Sequence, residues 1–144
     1  MKKIEQALAI YRDDYNCAQA VCSVFGARFG LDEKTSKKIS CGFGAGMGRT
    51  AGMCGAVAGA IMVLGLKYGM ADSTDQKDKQ VTYEKVQEYM KRFEEKHGSV
   101  KCPDLLGCDI STPEGYEKAV KEDLMVTLCE ELVVGAVKIL EEMV

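Results

Sequence analysis

The sequence predicts an all-α fold, a single helical domain over residues 1–144 built as a bundle of about five to seven helices. Three observations predict it. Apolar side chains recur at three- and four-residue spacing, capping residues stand where each periodic stretch begins or ends, and no stretch alternates apolar and polar residues with period two.

Ile4, Ala7, Leu8 and Tyr11 follow helical spacing in a short first helix. Asp13-Asp14-Tyr15-Asn16 interrupts it, and Asn16 is the N-cap of a second helix carrying Cys17, Val21, Val24 and Phe25. Cys17 then falls in the first turn of that helix. Gly30 closes it, and Asp32 caps another helix through Lys38. The run Gly42-Phe43-Gly44-Ala45-Gly46-Met47-Gly48 reads as a loop, followed by a helix from about Gly52 to Tyr68. Cys54 lies near the start of that helix. Its small residues Gly52, Gly55, Ala56 and Gly59 form a face that lets another backbone come close.

Ser73-Thr74-Asp75-Gln76 fits a capping box opening a long polar helix. Tyr83, Val86, Met90 and Phe93 make its narrow buried stripe, and Gly98 stops it. Ser99 to Gly107 is expected to be irregular, with Cys102 directly before Pro103. Ser111-Thr112-Pro113-Glu114 starts a further helix, because proline suits a first helical turn. The last helix places Met125, Leu128, Cys129, Leu132, Ala136, Ile139, Leu140 and Met143 on its inner face.

Composition narrows the function. The chain has 144 residues, 47% of them apolar and 28% charged, which is long enough to bury a core. Its net charge of −3 argues against nucleic acid as a partner. Acidic and basic residues follow Lys2-Lys3 too soon to leave the apolar core of a signal peptide. The longest apolar run, Ala51 to Leu66, is shorter than the roughly 20 residues of a membrane span. The expected setting is the cytoplasm, where thiols are kept reduced. Seven cysteines there are no permanent disulfide framework, and an odd number cannot pair completely. Metal binding, redox chemistry and core filling remain.

Local motifs exclude several chemistries. Gly48-Arg49-Thr50 lacks the lysine and the earlier glycine of a phosphate-binding loop, and no strand precedes it. The glycines Gly44, Gly46 and Gly48, with Gly55 beyond them, instead allow backbone to approach either a neighbouring helix or an anionic cofactor. No Cys-x-x-Cys occurs, so a metal or redox site must be assembled from distant segments. The lone His97 is read as a solvated, partly positive cap at the end of the polar helix. Cys54, at a helix start after the glycine run, is expected to have a lowered pKa, because helix N–H groups favour thiolate.

Asn16-Cys17-Ala18-Gln19-Ala20-Val21, the run Gly42 to Arg49, Cys54-Gly55-Ala56-x-x-Gly59, Cys102-Pro103-Asp104-Leu105-Leu106-Gly107 and Cys129 together resemble the C_GCAxxG_C_C family of redox-active proteins. The resemblance covers nearly the whole chain. It implies a functional set of Cys17, Cys54, Cys102 and Cys129, with Cys22, Cys41 and Cys108 as packing or incidental thiols. A related segment accompanies the haem domain of split-Soret cytochromes, and that context implies an iron–sulfur centre. Without Cys-x-x-Cys-His, covalent c-type haem is unavailable to this chain.

Four convergent thiolates would serve an iron–sulfur cluster in electron transfer, or otherwise zinc. A second expectation is metal-free thiol–disulfide chemistry led by Cys54. A third is a non-catalytic helical partner module with packing cysteines. The chain is thus expected to be an oxidoreductase or electron-transfer protein with an unidentified redox partner protein, and homo-oligomerisation is left open. A shared site requires the Cα atoms of Cys17 and Cys54 to lie within about 15 Å of each other.

Overall fold

Asn16 shows how local sequence sets the architecture. Its side chain accepts the Gln19 N–H at 3.0 Å while the Gln19 side chain accepts the Asn16 N–H at 2.9 Å, a complete capping box. The same asparagine donates to the Cys41 carbonyl at 2.8 Å, so one residue starts a helix and fastens a distant segment to it. The computed structural model describes residues 2–144. Among these it has eight right-handed α-helices: α1 (Lys3–Arg12), α2 (Cys17–Gly26), α3 (Glu33–Ser40), α4 (Gly55–Tyr68), α5 (Gln76–His97), α6 (Cys102–Leu106), α7 (Pro113–Lys121) and α8 (Leu124–Met143). The all-α class holds, with one helix more than the upper expectation.

That extra helix is α6, in the stretch expected to be irregular. Pro103 occupies its first turn, where its missing N–H costs nothing, and Gly107 closes it in the left-handed conformation. A second correction concerns α4. It begins at Gly55, three residues later than expected, with Cys54 as its N-cap. The preceding residues pair instead with the segment before α6 in an isolated antiparallel bridge between Met53 and Lys101. The Cys54 N–H donates to the Val100 carbonyl at 2.7 Å and the Cys102 N–H to the Gly52 carbonyl at 2.9 Å. No strand accompanies this bridge among the described residues.

The glycine run is more ordered than a loop. Cys41–Phe43 forms a 3-10 turn, and Ala45, Gly46, Met47, Gly48 and Arg49 follow with φ between 53° and 67°. This is a left-handed helical turn, closed by the Thr50 N–H on the Gly46 carbonyl at 3.1 Å. Each L-residue in that conformation costs about 1–2 kcal/mol, so Ala45, Met47 and Arg49 are held there by their surroundings.

The main core packs α2 and α4 together at very short range. A Cβ on Gly59 would lie 2.7 Å from the Ala18 carbonyl oxygen, so the small-residue face does admit a neighbouring backbone. Helices α1, α5 and α8 complete this core. The long α5 departs from its predicted stripe: Tyr83 is exposed, and Tyr89 is fully buried and donates to the Ala136 carbonyl at 2.8 Å. Burial begins only in the second half of α5, because residues 76–80 extend past the bundle and are exposed on all sides. The expected capping box at its start does not form. Asp72 instead accepts from both the N–H and the hydroxyl of Thr74, and Asp75 makes no side-chain cap.

A smaller cluster of Cys102, Leu106, Ile110 and Ala119 lies between α6, α7 and α8. No described helix is long and apolar enough to cross a membrane.

Candidate functional site

Three helix starts meet at one cavity. Cys17 is the first residue of α2, Cys54 is the N-cap of α4, and Cys102 is the first residue of α6. Cys129, in the second turn of α8, completes the set, and all four line a cavity of about 640 Å³. The Met53–Lys101 bridge explains part of this. Cys54 and Cys102 each follow a bridge residue, so they are diagonal neighbours on one face of the pairing.

The glycines hold the sulfurs close. A Cβ on Gly55 would lie 2.4 Å from the Cys17 Sγ, and one on Gly46 would lie 2.8 Å from the Cys102 Cβ and 3.2 Å from its Sγ. Since the Cys17 sulfur rests on the residue next to Cys54, the two cysteines are well inside the 15 Å limit. Gly46 and Gly55 line the cavity itself. Gly44 does not, but seats Asn16, since a Cβ there would lie 2.1 Å from the Asn16 Cγ. Gly48 meets only the Gly42 carbonyl, at 3.6 Å, and belongs to the left-handed turn rather than to the thiol lining.

Electrostatics overturns the expectation for Cys54. Burial pushes its thiol well above the ordinary range, and negative charge on Cys17 or Cys129 would push it further. The N–H groups of Val57 and Ala56 act in the opposite direction and are outweighed. The same holds across the site. Burial raises Cys17 despite N–H groups from Ala45, Ala18, Cys17 itself and Ala56, while Cys102 is pushed up to about 11 and Cys129 up to about 12. In the reduced, metal-free chain these are thiols at neutral pH. Were Cys17 to ionise, its charge would raise each of the other three further.

All seven cysteines are free thiols. Cys22 is buried within α2, with Ser40 as its hydrogen-bond partner, and Cys41 is exposed. Cys108 does not line the cavity; it packs against the small cluster that contains Cys102. Among the described residues, no three His, Cys, Asp or Glu side chains are gathered closely enough to hold a metal ion.

His97 is corrected too. Its ring lies 4.4 Å from that of Phe93 and packs into a notch at Gly135, where an added Cβ would meet the Nε2 at 2.2 Å. The Nε2 is buried without a partner, and burial followed by the charge of Lys96 lowers its pKa. It is a half-buried neutral imidazole, away from the cysteine cavity.

Several lining residues carried no signal in the sequence. Tyr11 donates to the Met125 carbonyl at 2.6 Å and also stabilises charge on Cys129. At the rim, Arg12 holds both carboxylate oxygens of Glu130, at 2.7 and 3.1 Å. Arg49 lies with its guanidinium 4.2 Å from the ring centre of Tyr116 and donates to its hydroxyl at 3.2 Å.

Comparison with known proteins gives one match. Residues 15–143 fit a family model described as "putative redox-active protein (C_GCAxxG_C_C)". No curated protein and no solved structure matches the chain.

Proposed function

The chain belongs to the C_GCAxxG_C_C family, and from that premise we propose that Cys17, Cys54, Cys102 and Cys129 act together as one redox centre, holding an iron–sulfur cluster for electron transfer. The observation that carries this reading is that four cysteines from four separate segments line one cavity. Soft thiolate donors suit iron–sulfur and zinc alike. What supports the former is the family context, in which a related segment implies an iron–sulfur centre.

When bound, such a cluster supplies an electron-transfer couple. The chain's own contribution is the environment. Cys17, Cys54, Cys102 and Cys129 would ligate as thiolates, the metal charge of a bound cluster offsetting the rise in their pKa. N–H groups from the α2 start, the left-handed turn and the α4 start would then stabilise sulfur charge. Leu105, Leu106 and Ile110 restrict water on one side. A redox partner protein in the cytoplasm would exchange electrons at the cavity mouth.

Anaerobic purification followed by visible absorption, iron and acid-labile sulfide analysis tests the proposal. Stoichiometric iron and sulfide that fall sharply in Cys17→Ser, with the helical fold retained, are the expected result. A colourless, iron-free protein from anaerobic cells overturns it.

The diagonal placement of Cys54 and Cys102 favours a metal-free alternative. One thiolate would attack a substrate disulfide and form a mixed disulfide. The second would then displace the substrate as a dithiol, leaving the chain oxidised by two electrons. Two oxidisable thiols per chain, without bound metal, would select this reading.

A further inference from the structure

The cavity exceeds the needs of four thiols. Its volume of about 640 Å³ falls in the middle of the roughly 300–1,000 Å³ range of small-molecule sites. Apolar side chains supply much of its wall, including Leu106, Ile110 and Met125. The rim carries charges of both signs. Arg12 and Glu130 neutralise each other in a bidentate pair, which leaves Arg49 and Asp14.

Arg49 is the better-placed recognition group. Among the described residues it has no carboxylate partner, and its one hydrogen bond goes to Tyr116. With its Cζ 4.2 Å from the Tyr116 ring centre and one N–H on the Tyr116 hydroxyl, the guanidinium has further N–H donors to offer a carboxylate. Arg49 sits at φ 66° within the left-handed turn, a conformation that asparagine also accepts. An arginine at a cavity mouth, held by an aromatic ring and without a carboxylate partner among the described residues, is arranged to receive one.

We propose that the cavity is also a ligand site, admitting a small organic carboxylate whose apolar body lies against Leu106 and Ile110 and whose head is held by Arg49. The inference concerns the same cavity as the proposed redox centre, but it does not depend on what the thiols hold.

The test uses 4-phenylbutanoate and its uncharged amide as a matched pair, titrated calorimetrically into the full reduced chain at low salt. The carboxylate should bind about tenfold more tightly than the amide, as expected for a charge-assisted contact. Methyl signals of Leu106 and Ile110 should shift on binding. Arg49→Asn keeps a residue that accepts the left-handed conformation and should bring the two probes to within about twofold, with the amide unaffected. Arg49→Lys should retain part of the preference, and Asp14→Asn should keep or increase it. Equal binding of the two probes, no saturable binding by either, shifts confined to other regions, or a preference that survives Arg49→Asn would each overturn the proposal. Because the readout is binding to the reduced chain, a failed iron analysis would leave this result standing, and the converse also holds.

Discussion

Replacing Gly55 with alanine tests the close packing on which the site depends. The new Cβ would lie 2.4 Å from the Cys17 Sγ, 2.9 Å from the Gly44 Cα and 3.0 Å from the Phe43 carbonyl oxygen. Ordinary contact begins near 3.4 Å, so the sulfur alone must retreat by about 1 Å, and two of the three obstacles are backbone. Overpacking of this kind costs about 1–3 kcal/mol, against which alanine recovers at most about 1 kcal/mol of helix propensity. Gly65, in the same helix, provides the control, because an added Cβ there meets nothing within 4 Å. Gly65→Ala should therefore stabilise by about 0.5–1 kcal/mol while Gly55→Ala destabilises by about 1–2 kcal/mol. Urea unfolding measures both, and the two midpoints should move in opposite directions from the wild type. If Gly55→Ala is stabilised as much as Gly65→Ala, the Cys17 sulfur does not rest on Gly55 and the site geometry is wrong.

Three further outcomes are expected. Because the folded pKa values of Cys102 and Cys129 stand near 11 and 12, above the unfolded value of about 8.5, their contribution is fully present below pH 8.5 and is lost as pH rises towards 11–12. Urea unfolding of the reduced, metal-free protein should show that decline at up to about 1.4 kcal/mol per pH unit per thiol, and Cys102→Ser with Cys129→Ser should make it shallower, leaving the part due to Cys17 and Cys54. His97 has the opposite sign: its lowered folded pKa gives stability that is present above about pH 6.5 and lost as pH falls through the folded value, so the acid-side slope should be shallower in His97→Gln. Tyr89→Phe should cost about 1 kcal/mol by removing the buried bond to the Ala136 carbonyl, and an unchanged unfolding midpoint would refute that bond.

Four of the caps, and the meeting of four cysteines at one cavity, are legible in the sequence because their causes are local or are carried by a motif. Asn16, Asp32, Gly98 and Thr112 each act within three or four residues of themselves, and each does what its type and position imply. Cys54 departs from its expectation for a physical reason. The helix start does favour thiolate, but burial, which depends on distant segments packing over the sulfur, outweighs it. His97 failed in the same way, since its notch is made by Gly135 on another helix. Tyr83 follows the heptad-like stripe as well as Tyr89 follows a parallel one, and only the limit of the bundle decides between them. The left-handed turn was illegible because Ala45, Met47 and Arg49 do not favour it; tertiary contacts impose it.

The pairing of Met53 with Lys101 has an architectural consequence. It closes the chain at the base of a long excursion, α4 outward and α5 back, and leaves the cysteines on the near side of that closure. Residues 71–80, at the far end, are exposed throughout. Lengthening an exposed connection adds little loop-closure entropy, about 0.6 kcal/mol for each doubling. The far end is therefore a natural port: a fused domain, an affinity tag or a split point inserted between residues 71 and 75 would ride on the hairpin tip while the cysteine cavity keeps its shape.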